Sequence, residues 1–158
     1  MNNIAIIRIA GKQGLTEQIK ATFKLLRLYN KYNCVIVPNT PVYVGMIKKI
    51  KDFITWGEVD KETLERLLKE RGKFAGKINL RDKKEINIPE LANQIFEGKK
   101  KQKDVPGLRQ FFKLHPPRGG FEKKGTKKPY SIGGVLGYRK EKINELIQKM
   151  IKCVIQLI

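Results

Sequence analysis

Three apolar runs separated by two amphipathic segments occupy residues 3 to 59. The runs "NIAIIRI", "NCVIVP" and "FITWGEV" are rich in β-branched residues, which favour strands. The segments "TEQIKATFKLL" and "TPVYVGMIKKI" repeat apolar residues at spacings of three and four, which predicts helices. The order β-α-β-α-β is typical of a small α+β sandwich with both helices on one face of the sheet.

The first of these helices has a clear predicted start. Thr16 is of a residue type that caps helices, and Ile19, Phe23 and Leu26 then recur on one face. Lys20 and its basic neighbours lie toward the other face. We expect this helix to end near Tyr29.

The second helix should begin at Pro41, whose missing N–H costs nothing at the first helical position, with Thr40 as its N-cap. Three lysines should lie away from the core. The apolar face is predicted to hold Val42, Met46 or Ile47, and Ile50.

Residues 60–158 break this alternation and read as a helical extension. We predict an acidic-capped helix from Asp60 to Arg71, a short helix over 88–98, and a C-terminal helix in "KEKINELIQKMI". The apolar faces of the first and last of these are predicted to hold Leu64, Leu67 and Leu68, and Ile143, Leu146, Ile147 and Met150. Between the last two lies a basic, irregular arm of about residues 99–142. The chain therefore divides into a β-α-β-α-β core, 1–59, and an extension with its arm, 60–158.

Charge decides which partners are plausible. The chain has 34 Lys and Arg against 15 Asp and Glu, a net charge of +19. The arm alone holds fourteen basic and three acidic side chains, and this clustering is not explained by a general need for solubility. A polyanion is the expected partner, nucleic acid first and an anionic membrane surface second. The longest apolar-leaning run, "MIKCVIQLI", is too short to span a bilayer, so we expect no membrane insertion.

The arm combines basic residues with glycines, prolines and aromatic residues. Such a chain can follow the irregular phosphates and exposed bases of folded RNA, which suggests an arm ordered by RNA. The alternative is a disordered solubilising linker. Phe111, Phe112, Phe121 and Tyr130 argue against a linker, because some of them should anchor the arm to the folded body.

Signals for catalysis or for a cofactor are weak. His115 is the only histidine and has no nucleophile or paired carboxylate marking a partner, so we expect it to pack or hydrogen-bond. Cys34 and Cys153 lack metal-ligand spacing and read as reduced core thiols of a cytosolic protein. The opening residues show no charged-then-apolar leader, so we expect no signal peptide. Neither "GKQGLT" nor "GGVLG" has the context of a nucleotide-binding loop. We predict no cofactor, metal or small-molecule substrate.

Two motifs carry a family resemblance. "TPVYVGMIKKIK" and, more specifically, "LHPPRGG" resemble the archaeal-type large-subunit ribosomal proteins of family thirty (L-thirty; L-seven in eukaryotes), over nearly the whole chain. The resemblance implies a core related to ferredoxin-like folds, binding to large-subunit rRNA near the 5S rRNA region, and neighbouring ribosomal proteins as partners. It also implies a cytoplasmic location in the large subunit, and an architectural role rather than catalysis.

Two other functions stay open at this stage. An acylphosphatase-like enzyme could bind phosphate at "GKQGLT", but it would need a fixed Arg beside that loop, and Arg8 lies inside a strand. A free-standing RNA chaperone would need only the composition. For rRNA binding, the candidate residues are the basic, glycine and ring-bearing positions of the second helix and the arm: Lys48, Lys49, Lys51, Lys113, His115, Arg118, Gly119, Gly120, Lys123, Lys124, Lys127, Lys128, Tyr130 and Arg139.

Overall fold

The structure, a computed structural model, describes residues 3–74, 78–82 and 85–151. Its secondary structure follows the predicted order through the core and the extension. The strands are β1 (Asn3–Arg8), β2 (Asn33–Pro38), β3 (Ile54–Glu58), β4 (Phe112–Lys113) and β5 (Gly137–Tyr138). The helices are α1 (Glu17–Leu25), α2 (Pro41–Lys49), α3 (Lys61–Arg71), α4 (Ile88–Phe96) and α5 (Ile143–Ile151).

The five described strands form one sheet in the order β4-β2-β1-β3-β5. All neighbours are antiparallel except β3 and β5, which are parallel. The two outer strands come from the arm and are two residues long each. The arm therefore borders the sheet on both sides, and the predicted α+β fold is confirmed.

Both faces of the sheet are covered. Ile4 and Ile6 of β1 pack with α1 and α2 on one face, whereas Ala5 and Ile7 pack with α3, α4 and α5 on the other. Every residue of β1 is buried as a result. A strand covered on both faces reads as a continuous apolar run, which explains "IAII" near the start of the sequence. The prediction that the first two helices share one face is confirmed.

The end of α1 differs from the expectation. The helix stops at Leu25 rather than near Tyr29. Arg27 has a φ of 62°, a left-handed conformation that cannot continue an α-helix, and the N–H of Leu28 turns back to the carbonyl oxygen of Phe23 at 2.9 Å. The predicted cap is confirmed, because Thr16 Oγ1 accepts a hydrogen bond from the N–H of Ile19.

The apolar face of α2 is also partly different. Ile47 and Ile50 are buried as predicted, but the side chain of Val42 is 72% exposed. Val42 lies in the first turn of the helix, where it faces away from the core, and Tyr43 packs against the core in its place. Thr40 occupies the cap position without a side-chain hydrogen bond to the helix.

The extension packs as its sequence pattern predicted. Asp60 Oδ1 accepts a hydrogen bond from the N–H of Thr63 at 2.7 Å and so begins α3. Leu64, Leu67 and Leu68 are completely buried. Within the described residues, no helix is long and apolar enough to cross a membrane.

Gly57 allows α5 to approach the sheet. A Cβ atom at this position would lie 2.1 Å from the carbonyl oxygen of Lys140 and 2.8 Å from Ile143. Only glycine leaves room for this close approach. Its position in β3 therefore fixes the distance between the sheet and the start of α5.

Candidate nucleic-acid interface

Strand register places five chain segments at one end of the sheet. Arg8, the last residue of β1, lies opposite Ile54, the first residue of β3. Asn33, the first residue of β2, lies opposite Lys113. The start of β5 joins the same end, because Gly137 is aligned with Thr55. Segments that are distant in sequence therefore meet here.

Basic side chains gather at this end, which we call the basic end. Lys31 precedes β2, Lys113 ends β4, and the segment before β5 contains Lys127 and Lys128. The last turn of α2 arrives here as well, because α2 leads directly into β3. The basic end is thus defined by seven exposed lysines: Lys31, Lys48, Lys49, Lys51, Lys113, Lys127 and Lys128.

A groove of about 590 Å³ runs between the core and the arm at the basic end. Lys31 and Lys51 line it from the core, and Lys127 lines it from the arm. Its walls include Phe53 and Trp56, and among the described lining residues Asp52 is the only acidic one. Ammonium groups beside aromatic rings suit a phosphate next to a base that can stack.

Trp56 is held in place by the arm. Its ring lies 6.1 Å from the ring of Tyr138, centre to centre, at an angle of 26°. Tyr138 donates a hydrogen bond from its hydroxyl to Glu58 at 2.9 Å. Burial and, to a smaller extent, this bond raise the pKa of Tyr138 above its usual value. The groove wall is therefore built jointly by the core and the arm.

The arm is fastened by apolar anchors and a tight turn. Phe112 is 1% exposed, and Leu136 is buried with it in the layer of α3 to α5. The N–H of Leu136 donates to the carbonyl oxygen of Lys128 at 3.1 Å. Gly134 makes this turn possible, since a Cβ there would lie 2.1 Å from that same oxygen. The expectation that aromatic residues anchor the arm is confirmed for Phe112.

The lysines between these anchors remain at the surface. Lys123, Lys124, Lys127 and Lys128 are all exposed. The side chain of Lys124 passes close to Gly133, with a distance of 3.3 Å to the point where a Cβ would stand. The arm thus presents four ammonium groups over a short length of chain.

Arg139 lies inside the protein rather than at the surface. Its side chain is 2% exposed, and its guanidinium donates to both carboxylate oxygens of Glu122, one of them at 2.9 Å. It also donates to Thr55 Oγ1 at 2.7 Å and to the carbonyl oxygen of Val135 at 2.9 Å. The ring of Tyr130 lies 4.7 Å from the guanidinium carbon. Arg139 therefore holds the arm to β3, with its charge turned toward Glu122.

Burial of Glu122 works to raise the pKa of its carboxyl group. The hydrogen bonds and charge of Arg139 outweigh burial and hold that pKa below its usual value of 4.5. Lys149 adds a smaller effect in the same direction. Glu122 is therefore ionised at neutral pH and paired inside an otherwise basic segment.

His115 and Arg118 lie beside the last turn of α5. The backbone N–H groups of His115 and Arg118 donate to the carbonyl oxygens of Met150 and Lys149, each at 3.1 Å. Burial, followed by the charges of Arg71 and Lys73, lowers the pKa of His115. The Nε of Arg118 is buried and has no hydrogen-bond partner among the described residues.

The two adjacent glycines of "PPRGG" are open to solvent. Gly119 and Gly120 have φ values of 78° and 81°, in the left-handed region that favours glycine. No atom lies within 4 Å of the point where a Cβ of either would stand. Their backbone is accessible to a large partner.

Sequence reasoning missed two groove residues, Lys31 and Trp56. Nothing in the pattern around Lys31 separates it from other surface lysines. The alternation of "ITWGE" places Trp56 on one face of β3, but its partial exposure depends on the arm, which the alternation does not describe. Both residues are apparent only from the fold.

The loop "GKQGLT", which an acylphosphatase-like enzyme would use to bind phosphate, is contacted by Arg8 from inside the fold. Arg8 is buried, and its guanidinium donates to the carbonyl oxygens of Ala10, Leu28 and Gly11 at 3.0, 2.7 and 3.0 Å. It also lies over the ring of Phe23 at 4.0 Å. Arg8 therefore supports the loop backbone from inside the fold and does not project from the loop.

Cys34 lies in the core and adds no site. Cys34 is completely buried and free, and burial raises the pKa of its thiol to about 12. The expectation of a core thiol is confirmed for Cys34, whereas Cys153 lies outside the described residues. Within the described ranges, no cluster of three or more potential metal ligands is present.

Comparison with known proteins gives consistent results. The family model described as "Ribosomal protein L30p/L7e" matches residues 4–54. The chain is 45% identical to the large ribosomal subunit protein uL30 of Methanococcus maripaludis over 151 residues, which cover 92% of this chain and 97% of that protein. It is 42% identical to uL30 of Methanopyrus kandleri, covering 89% and 99% of the two chains. It is 45% identical to uL30 of Staphylothermus marinus, covering 93% of this chain and 97% of that protein.

Proposed function

Because this chain belongs to the L30p/L7e family of ribosomal proteins, we propose that it binds and stabilises folded large-subunit rRNA through the basic end and the arm. Its place as a structural component of the cytoplasmic large ribosomal subunit follows from the family. The rRNA contacts and the position near the 5S rRNA are the parts of the function that we propose.

One observation carries this proposal. The fold brings Lys51 of the core and Lys127 of the arm to the same groove, beside Trp56. The two ammonium groups repel each other, and a polyanion between them relieves this repulsion. A phosphate bound by both lysines would hold the arm against the core and fix the RNA in one arrangement.

The proposed contacts fall into two groups. The first is the basic end with the neighbouring lysines of the arm. The second is the strip beside α5, where the exposed backbone of Gly119 and Gly120 lets RNA approach closely. Arg139 is left out of both groups, because its guanidinium is enclosed. The proposed rRNA-binding residues are Lys31, Lys48, Lys49, Lys51, Lys113, His115, Arg118, Gly119, Gly120, Lys123, Lys124, Lys127, Lys128 and Tyr130.

A pair of substitutions tests the groove. The variant Lys51→Gln with Lys127→Gln should bind a large-subunit rRNA fragment less tightly, with its salt dependence reduced. Each lost phosphate contact reduces the magnitude of the negative slope of log K against log salt by about 0.7 to 0.9, so the pair should reduce it by about 1.5. Filter binding between about 50 and 200 mM salt measures this slope.

The matched control replaces two exposed lysines of α3, Lys61→Gln with Lys69→Gln. It removes the same charge at a place that we do not propose to touch RNA. A slope unchanged in the control and lowered in the groove variant supports the proposal. Equal losses in both variants would show that only total charge matters.

Sedimentation of the native protein tests whether it is bound to the large ribosomal subunit. We expect the chain to sediment with the large subunit in a sucrose gradient and to remain there in moderate salt. A chain found only at the top of the gradient would contradict the proposal and favour a free RNA-binding protein. For the 5S position, crosslinks from residue 127 to 5S rRNA in purified subunits are the expected result, and crosslinks confined to other RNA would contradict it.

A further inference from the structure

One edge of the sheet is only partly covered by the arm. Strand β4 pairs with β2 at Asn33 and Cys34 alone. The rest of β2, residues 35–38, has no strand partner on that side among the described residues. An uncovered edge presents backbone N–H and C=O groups that can pair with a further strand.

This open edge lies in a slot between the two helical layers. The slot has a volume of about 370 Å³ and follows β2 from Val35 to Pro38. Leu25 and Tyr43 line it from the layer of α1 and α2, and Ile95 lines it from the layer of α4. The side chain of Leu25 is 74% exposed. The walls therefore suit apolar side chains that alternate to either side of an extended chain.

A buried amide group in the slot has no partner. Gln102 lines the slot and is 8% exposed, and its Nε2 makes no hydrogen bond with the described residues. Buried polar groups in folded proteins are hydrogen-bonded in the great majority of cases. A carbonyl oxygen supplied from outside the chain would satisfy this donor.

The charges around the slot are positive. Arg27, Lys100 and Lys101 line it, and no carboxylate does so among the described residues. Of the acidic residues nearby, Glu97 pairs with Lys99 at 3.0 Å, and Asp104 accepts a hydrogen bond from the N–H of Lys101 at 2.9 Å. The slot therefore favours a partner with carboxylates.

We propose that this slot receives an extended acidic segment of a neighbouring protein, which pairs with residues 35–37 of β2 as a further strand. Apolar side chains of the segment pack against Leu25 and Tyr43, and one of its carbonyl oxygens accepts from Gln102. Its carboxylates lie beside Arg27, Lys100 and Lys101. A polypeptide fits better than RNA, because a phosphate chain could use the three cations but neither the strand edge nor the apolar walls. The inference adds a protein-docking site to the proposed rRNA contacts.

Photo-crosslinking in assembled large subunits tests the inference. The residue p-benzoylphenylalanine is placed at position 25 in the slot, and in a separate variant at position 42. Val42 is 72% exposed and does not line the slot, so it is the matched control. We expect a crosslink from position 25, at least fivefold above the control, to a protein segment that mass spectrometry shows to be acidic with alternating apolar residues.

Every other product at position 25 contradicts the inference. Crosslinks to rRNA, to residues 152–158 of the same chain, or to a second copy of this chain would each identify a different occupant. A yield equal to that at position 42 would show an empty slot. A third variant with the photo-reactive residue at position 127 reports rRNA contact in the same subunits, so failure of the slot and failure of rRNA binding are distinguishable.

A synthetic copy of the crosslinked segment then tests the chemistry. Its binding to the purified chain is measured by fluorescence anisotropy. Reversing the rim charges with Lys100→Glu and Lys101→Glu should weaken binding about tenfold, because attraction becomes repulsion at two positions. Gln102→Leu should also weaken it, while thermal unfolding shows that the variant is folded. Unchanged affinity in both variants would refute the proposed arrangement.

Discussion

Replacing Arg139 by Met should destabilise the protein without acting directly on RNA. The guanidinium forms hydrogen bonds with Glu122, Thr55 and Val135, which connect the arm to β3. Methionine fills a similar volume but donates nothing. The carboxylate of Glu122 then loses its main counter-charge and keeps the weaker attraction of Lys149 and the solvent contact of a side chain that is 28% exposed.

The expected loss follows from this burial. Removing one partner of a fully buried ion pair costs about 3 to 5 kcal/mol, because the other charge is left uncompensated. Glu122 retains some hydration, so we expect a smaller loss, about 2 to 4 kcal/mol. In the double variant Arg139→Met with Glu122→Gln no charge is stranded, and about 1 to 2 kcal/mol should be recovered.

Urea unfolding measures these differences. Trp56 is the only tryptophan and stacks on Tyr138, next to Arg139 in sequence, so its fluorescence reports this region. With a urea dependence of about 2 kcal/mol/M, a loss of 3 kcal/mol moves the midpoint down by about 1.5 M. Lys140→Met is the control, because it removes the same charge from an exposed neighbour.

One result would refute the reasoning. If Arg139→Met unfolds at the same urea concentration as the unmodified protein and binds rRNA several-fold more weakly, Arg139 contacts RNA and does not hold the arm. A loss of stability as large in Lys140→Met would also count against it. It would attribute the effect to net charge rather than to the buried pair.

Three further predictions concern single residues. The pKa of Glu122 is lower in the folded protein than its unfolded-state value near 4.5, so the ionised carboxylate stabilises the fold above that value. This contribution is lost as the pH falls through the folded-state pKa. Glu122→Gln should therefore flatten the decline of the urea midpoint between about pH 5 and 3. Gly57→Ala should lower the melting temperature by about 5 °C in calorimetry, whereas Gly45→Ala, with open space around it, should not lower it. The buried thiol of Cys34, whose pKa is about 12, should resist iodoacetamide at pH 8 until the protein is unfolded, as mass spectrometry can show.

Local signals were sufficient for most of the fold. Helix starts at Thr16 and Asp60 are set by side chains that bond to the backbone three residues later, and the sequence displays such pairs directly. The spacing of apolar residues likewise predicted which faces of α3 and α5 are buried. These features depend on few residues close together in the chain.

Features that depend on distant contacts were not predictable. The end of α1 is set by the left-handed conformation of Arg27, a residue that has no special preference for it. The strands β4 and β5 are each two residues long, too short to show any alternation. They are strands only because β2 and β3 offer edges with which they can pair. The groove that they complete was therefore not predictable from the sequence either.

Arg139 and Lys127 show most directly what could not be predicted from the sequence. Both are basic residues in the same glycine-containing segment, yet one is buried and the other lines the groove. The difference comes from Thr55, 84 residues away from Arg139, and from Glu122. Glu122 is the only acidic residue between positions 105 and 140, and its carboxylate neutralises the enclosed guanidinium of Arg139. In this basic run the single acidic residue marks an internal pair, and the exposed lysines Lys123, Lys124, Lys127 and Lys128 are the ones that we propose to face RNA.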